Sequence, residues 1–200
     1  MKILFISLGC DKNLADSEEM LGLLTGNGHE IVDSEEEADA IVINTCCFIH
    51  DAKEESVNTI LEMAEYKKTG TCKILIVTGC MAQRYKEEIT EEIPEVDAVL
   101  GTTSYGDIVK ALNEAEAGHV FQEFKDINAL PEDSGRRVIT TGGHFGYLKI
   151  AEGCDKHCTY CIIPSLRGKF RSVPEERLLK QAEYMASQGV RELILVAQET

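Results

Sequence analysis

No apolar run in this chain approaches the ~20 residues that cross a bilayer, and the opening Met-Lys-Ile-Leu-Phe-Ile-Ser-Leu-Gly carries no signal-peptide cleavage pattern. The sequence is therefore expected to be soluble and cytoplasmic, with no membrane partner. Internal repeats and low-complexity tracts are missing too, which excludes a solenoid. Basic charge is scarce: 20 Lys and Arg stand against 35 Asp and Glu, a net charge of −15. The deficit lies in residues 1–135, with 10 basic against 28 acidic side chains, whereas residues 136–200 hold 10 against 7. Such an acidic stretch repels nucleic acid and membrane surfaces and could attract a basic partner, although much of this charge merely solubilises helix faces. What the chain does have is cysteine, eight in 200 residues, with 44% apolar and 28% charged residues overall. That balance is globular. Disulfides seldom persist in a reducing compartment, so dense cysteine there argues for metal or redox chemistry.

Strand-like and helix-like stretches alternate from the first residue. Residues 2–8 form a near-continuous apolar run, as in a strand buried on both faces. Residues 13–25 have helical spacing of Leu14, Met20, Leu21 and Leu24, broken at Gly26-Asn27-Gly28. Strands are predicted at Ile31 and Val32, 40–44, 73–78 and 96–100, and helices over 51–68 and 104–117. The pattern implies right-handed crossovers and an α/β fold, with a flavodoxin-like five-stranded parallel sheet as the simplest arrangement. Residues 124–144, with Pro131, Asp133-Ser134-Gly135 and Gly142-Gly143, read as a linker. Alternation then restarts with a strand over 147–151, a long loop, a helix over 174–187 and a strand over 192–197. Gln198-Glu199-Thr200 follows that strand immediately, so the second domain is expected to be incomplete. The division expected is a first domain over 1–123, the linker over 124–144 and the start of a second domain over 145–200.

Cys154-Asp-Lys-His-Cys158-Thr-Tyr-Cys161 is the most specific signal in the chain. Spacings of three and two residues let three thiolates converge from one loop. A cubane 4Fe–4S cluster needs one outside ligand per iron, so three cysteines leave one iron open. Structural zinc normally takes four protein ligands, and no partner pair follows at the usual spacing. His157 could offer a nitrogen, but its neighbour Cys158 constrains it to point elsewhere. A second set lies upstream, where Cys10, Cys46 and Cys80 end the first, third and fourth predicted strands. In a parallel sheet these ends share the carboxyl edge, where open α/β folds bind ligands, and adjacent strands there lie ~4.8 Å apart. Three thiols could thus surround one object of cluster size. The alternative is three independent buried cysteines, since free Cys packs as a small hydrophobe. Cys47 and Cys72 do not fit the set and read as structural.

With Cys154-x3-Cys158-x2-Cys161 and the upstream Cys10, Cys46 and Cys80, the chain resembles the methylthiotransferases of the radical S-adenosylmethionine (SAM) superfamily. The resemblance implies two 4Fe–4S clusters, with Cys10, Cys46 and Cys80 holding the first and Cys154, Cys158 and Cys161 the second, SAM-binding one. It implies that the second domain is the truncated start of a radical SAM (β/α) barrel, and that Tyr160 lies near the SAM adenine. Reduction by an electron donor would cleave SAM to a deoxyadenosyl radical, because sulfur insertion at an unactivated C–H bond requires hydrogen abstraction. Ser7-Leu-Gly-Cys10-Asp-Lys-Asn13-Leu-Ala-Asp16-Ser17-Glu18 and Ile162-Ile163-Pro164-Ser-Leu-Arg167-Gly168 are similar to the branch acting on an aspartate of small-subunit ribosomal protein twelve. The tRNA branch normally has Gln-Met-Asn after the first cysteine and Tyr-Thr-Arg-Gly in the second motif.

Arg167, Lys169 and Arg171 form a basic stretch that either contacts the SAM carboxylate or substrate, with Arg171 the candidate, or is a solvated loop tip. Asn13 and Asn44 flank cluster cysteines and either orient the loops and cluster sulfurs or serve local turns. The expected activity is methylthio transfer to the aspartate β carbon of that ribosomal protein, and the truncated chain alone is expected to be inactive. The alternatives are methylthiolation of a tRNA adenosine beside the anticodon, disfavoured by the acidic first segment, and a non-enzymatic iron–sulfur electron carrier, which would want four cysteines per cluster. A zinc scaffold is the last.

Overall fold

The computed structural model describes residues 1–132 and 135–199. Asp133 and Ser134 of the linker turn signal, and Thr200 of the last motif, lie outside the described residues. The elements run β1 (Lys2–Ser7), α1 (Asp11–Gly26), β2 (Glu30–Val32), β3 (Ala40–Thr45), α2 (His50–Thr69), β4 (Ile74–Gly79), α3 (Cys80–Arg84), α4 (Lys86–Glu92), β5 (Ala98–Leu100), α5 (Ile108–Glu116) and β6 (Phe121–Glu123). They continue with β7 (Phe145–Lys149), β8 (Ala151–Glu152), α6 (Ile163–Arg167), β9 (Arg171–Ser172), α7 (Glu175–Ser187) and β10 (Glu192–Val196).

The first six strands form one parallel sheet in the order β2-β1-β3-β4-β5-β6. The flavodoxin-like order holds, with six strands where the sequence pattern predicts five. The additional strand, β6, is only three residues long and pairs Ala98 with Phe121 and Leu100 with Glu123. Strand alternation sends Leu4, Ile41, Ile43, Leu75, Val77 and Val99 to one face, where Ile60 and Met63 of α2 and Met81 of α3 cover them. Ile3, Val42, Ile74, Ile76 and Leu100 go to the other, under Met20 and Leu24 of α1 and Ile108 and Leu112 of α5. Both faces are thus buried, which is why these strands read as continuous apolar runs instead of alternating ones. The two helices directly after β4 were not legible in the sequence.

In the second segment β7 and β10 pair in parallel, Phe145 with Glu192 through Lys149 with Val196, and α7 is their crossover. Leu148, Met185 and Val190 make its small core. The single strand predicted over 147–151 is instead β7 and β8, and β8 turns aside to pair antiparallel with β9. The predicted loop over 154–171 contains α6. Residues 137–140, within the stretch read as linker, are pinned along α1. Val138 N–H donates to the Glu18 carbonyl at 3.0 Å, and Arg137 and Thr140 close on the Glu18 carboxylate. Helix α1 therefore packs against the six-stranded sheet and against β7. Among the described residues no helix is long and apolar enough to cross a membrane.

Candidate metal and cofactor site

The carboxyl ends of β1, β3 and β4 open onto a cavity of about 1380 Å³. Cys10, Cys46 and Cys80 line it, and so do Cys158, Tyr160 and Cys161. The two cysteine sets, 78 residues apart at their nearest (Cys80 and Cys158), thus face a common space larger than the ~300–1,000 Å³ of ordinary ligand pockets. Cys154 is partly buried at the foot of its loop and is not among the lining residues.

Two thiols of the first set, Cys10 and Cys80, each follow a glycine that the close packing of the strand ends requires. Gly9 has φ +94°, and a Cβ built there would stand 2.7 Å from Cys46 Cβ. Only a residue without a side chain lets the β1 end pass this close to Cys46, in a conformation that costs other residues roughly 1–2 kcal/mol. Gly79 repeats the device at the β4 end, where a Cβ would collide with Asn44 Oδ1. The two asparagines tie these ends together. Asn13 Nδ2 donates to the carbonyls of Leu8 at 3.1 Å and Thr45 at 2.9 Å, and Asn44 Nδ2 donates to the Asn13 carbonyl and Ser17 Oγ, both at 2.9 Å. Their role is loop orientation, one of the two alternatives the sequence leaves open.

Burial raises the Cys46 and Cys80 thiols above their ordinary pKa, and the Arg167 guanidinium opposes that rise at Cys80. Cys47 points away from the cavity and donates to the Cys80 carbonyl at 3.3 Å; burial pushes it up to about 12, with Cys80 adding to the effect. Cys72 is buried far from the strand ends, donating to the Ile74 carbonyl at 3.3 Å.

The second cysteine loop is tethered at its base. Gly153 N–H donates to Gln198 Oε1 at 2.9 Å, Cys154 N–H to the Gly168 carbonyl at 3.1 Å and Asp155 N–H to Glu199 Oε2 at 3.1 Å. At its tip His157 takes φ +46°, which turns the chain between Cys154 and Cys158. Tyr160 is 88% exposed, so its ring is free to lie against a flat ligand.

Of the basic stretch, Arg167 is not a solvated tip. It is buried, with Nη1 2.7 Å from Asp16 Oδ2 and Nη2 donating to Asn13 Oδ1. Arg171 donates to the carbonyls of Arg167 at 3.1 Å, Ala129 at 3.3 Å and Lys169, and is not among the cavity-lining residues. Sequence reasoning missed the ions beneath the cavity. Lys149 pairs with Asp16, and with Glu152 at 2.7 Å; Lys12, which lines the cavity floor, stands 3.3 Å from Glu152 and donates to the Ala151 carbonyl at 2.5 Å. Burial alone would raise the Glu152 carboxyl, but Lys149, Arg167 and Lys12 together hold it far below the usual range, while burial lowers Lys12 to about 8. Lys12 and Asp16 show in the sequence only as polar residues of α1, and Lys149 and Glu152 only as charges in short strands.

Residues 148–200 match the model of the radical SAM superfamily. Over its full length the chain is 65% identical to a ribosomal protein uS12 methylthiotransferase RimO of Lachnoclostridium phytofermentans, covering 46% of that protein. Proteins of the same name from Clostridioides difficile and Acetivibrio thermocellus are each 50% identical, over 100% and 99% of this chain and 45% of their own length. The chain thus spans under half the length of these curated relatives. Residues 2–101, half of the chain, match the model of the uncharacterized protein family UPF0004, and to that family the chain belongs.

Proposed function

We propose that the chain is the amino-terminal part of a cytoplasmic radical SAM methylthiotransferase acting on an aspartate β carbon of ribosomal protein uS12. In this reading Cys10, Cys46 and Cys80 hold one 4Fe–4S cluster, and Cys154, Cys158 and Cys161 hold a second that binds SAM. Residues 1–123 form the first domain, 124–144 the connection and 145–200 the opening of the barrel. The observation that carries it is the shared cavity, which Cys10, Cys46 and Cys80 line together with Cys158 and Cys161, with Cys154 at the foot of the second loop. Among the described residues no three His, Cys, Asp or Glu side chains converge on a single-ion site. Sets of three thiols match clusters that each keep one iron open, whereas a structural zinc ion takes four protein ligands. The donor set therefore fits the group.

When bound, the clusters and SAM supply the hydrogen-abstracting chemistry and the sulfur that acid–base side chains cannot. The chain's own residues do the rest. Gly9, Gly79, Asn13 and Asn44 fix the first three thiols on strand ends. The tethers from Gly168, Gln198 and Glu199 hold the second loop against the cavity, and exposed Tyr160 offers a stacking face for adenine. Leu8, Phe48 and Ile49 make part of the wall apolar, which limits water around the reacting groups.

Anaerobic reconstitution tests this reading. About eight irons and eight sulfides per chain are expected, with half lost in C10A/C46A/C80A and the other half in C154A/C158A/C161A. Full iron content in either triple variant would refute it. Substrate class is read from a longer form carrying the remaining length of the relatives: binding to uS12 that exceeds binding to tRNA at physiological salt supports the assignment, and the reverse order overturns it.

A further inference from the structure

Three cations are ion-paired with two carboxylates beneath the cavity. Lys12, Lys149 and Arg167 supply three cations, and Asp16 and Glu152 supply two carboxylates, all almost fully buried. Glu19, the next acid on α1, is pushed towards its neutral form by burial and accepts from Tyr105 Oη at 3.2 Å. Glu18 is engaged by Arg137 at 2.6 Å, outside the cluster. A buried guanidinium is costly unless negative charge or hydrogen-bond acceptors lie close by. In this fold the neighbour is the first thiol set. Arg167 lines the same cavity as Cys10, Cys46 and Cys80. Its Nη2 donates to Asn13 Oδ1, the atom to which Cys80 Sγ donates at 3.8 Å.

Arg167 is carried by α6, six residues beyond Cys161, yet its guanidinium is spent wholly on the first domain and on Glu152. We propose that Arg167 is a positioning residue by which the second segment sets the reduction potential of the cluster held by Cys10, Cys46 and Cys80. The inference rests on the reading of those thiols as cluster ligands. One-electron reduction from an external low-potential donor converts one ferric iron of that cluster to ferrous, with no bond made or broken, and adds one negative charge to the site. A fixed guanidinium in a low-dielectric surround stabilises the added charge, so it raises the potential; charge and hydrogen bonding around the sulfurs are the levers a protein has for this. The same contact couples the domains, because the potential depends on α6 being docked.

The test is a potentiometric titration of the reconstituted 200-residue chain followed by electron paramagnetic resonance. The first cluster's signal is identified as the one absent from C10A/C46A/C80A. Arg167→Gln is expected to lower that cluster's potential by a tenfold or greater shift in its reduction equilibrium, 59 mV for one electron, and to move the other cluster less. Arg167→Lys, which keeps the charge, should recover most of the shift, and Asp16→Asn should move the potential upward. An unchanged potential in Arg167→Gln, or a shift in Arg167→Lys as large as in Arg167→Gln, overturns the proposal. Should Arg167→Gln fail to take up iron, Asp16→Asn decides: an upward shift supports it and no shift overturns it. Retention of all iron in C10A/C46A/C80A is a different failure, read from iron content alone, and removes the ligand assignment as well.

Discussion

Removing the Glu18 carboxylate should release the strap that joins α1 to β7 and α7. Glu18 is fully buried on α1 and gathers four donors from residues 137–140. Arg137 Nε and Nη2 approach Oε2 at 2.8 and 2.6 Å, and Thr140 N–H and Oγ1–H donate to Oε1 at 2.7 and 2.8 Å. Arg137 in turn donates to the Tyr147 carbonyl of β7 at 2.6 Å, and its own carbonyl accepts from Tyr184 Oη of α7 at 2.6 Å. The Glu18→Ala variant leaves a buried guanidinium unpaired, which costs about 3–5 kcal/mol, and strands two Thr140 donors. Total stability of about 5–15 kcal/mol makes this a large fraction. At about 2–4 °C per kcal/mol for a chain this long, the melting temperature should fall by about 6–20 °C. Arg137→Met should cost a similar amount by stranding the carboxylate. The double variant should lose much less than the sum, since neither charge is then left alone. Hydrogen exchange at the Val138 and Thr140 amides reads the strap directly, and both should speed up in Glu18→Ala. Single variants costing under about 1 kcal/mol, or strictly additive losses, would refute the reasoning.

Gly9→Ala places a Cβ 2.7 Å from Cys46 Cβ at φ +94°, so it should cost about 1–3 kcal/mol in a thermal melt and reduce iron uptake; unchanged uptake would show that the β1 end is not held as described. Glu19→Gln should stabilise the protein at neutral pH. The folded-state pKa of Glu19 is raised, so its favourable contribution is complete below the ordinary carboxylate range and lost as pH rises through the raised value; the gain from Gln should vanish in acid, and denaturation curves that stay parallel across pH would contradict this. Cys46→Ser should deplete the first cluster while Cys47→Ser leaves iron content unchanged, and the opposite result would exchange the two thiols. In metal-free protein β1 and β4, buried on both faces, should stay protected from exchange while residues 156–160 exchange fast; rapid exchange in those strands would show that the first sheet needs metal.

Local pattern determined much of this molecule. The apolar runs at β1, β3 and β4 declared strands buried on both faces, because covering helices remove the polar alternation an exposed face would show. Their alternation with helices implied a parallel sheet, for which the flavodoxin-like order was the simplest arrangement, and parallel strands put Cys10, Cys46 and Cys80 at one sheet edge. The breaks at Gly26 and Gly118 bounded helices α1 and α5 to within a residue or two. The sheet edge was decided elsewhere: β6 has three residues, too few to show periodicity, and exists because β5 offers it a pairing partner. Helices α3 and α4 likewise carry too few turns to display a face.

The side chains that proved decisive at the site were charged ones, and charge has no period. Asp16, Glu18 and Glu19 on α1 look like a solvated stripe when only neighbouring residues are considered. The partners of Asp16 and Glu18 stand 119 to 151 residues away, in Arg137, Lys149 and Arg167, and that of Glu19 is Tyr105, 86 residues away. Whether such a group faces water or a distant counter-charge depends on which surfaces dock, and docking is a property of the folded chain. The same holds for the cavity. Each cysteine set was legible from its own spacing, but that both face one space follows from α1 packing against the six-stranded sheet and β7 at once and from the strap over 137–140 that holds it there.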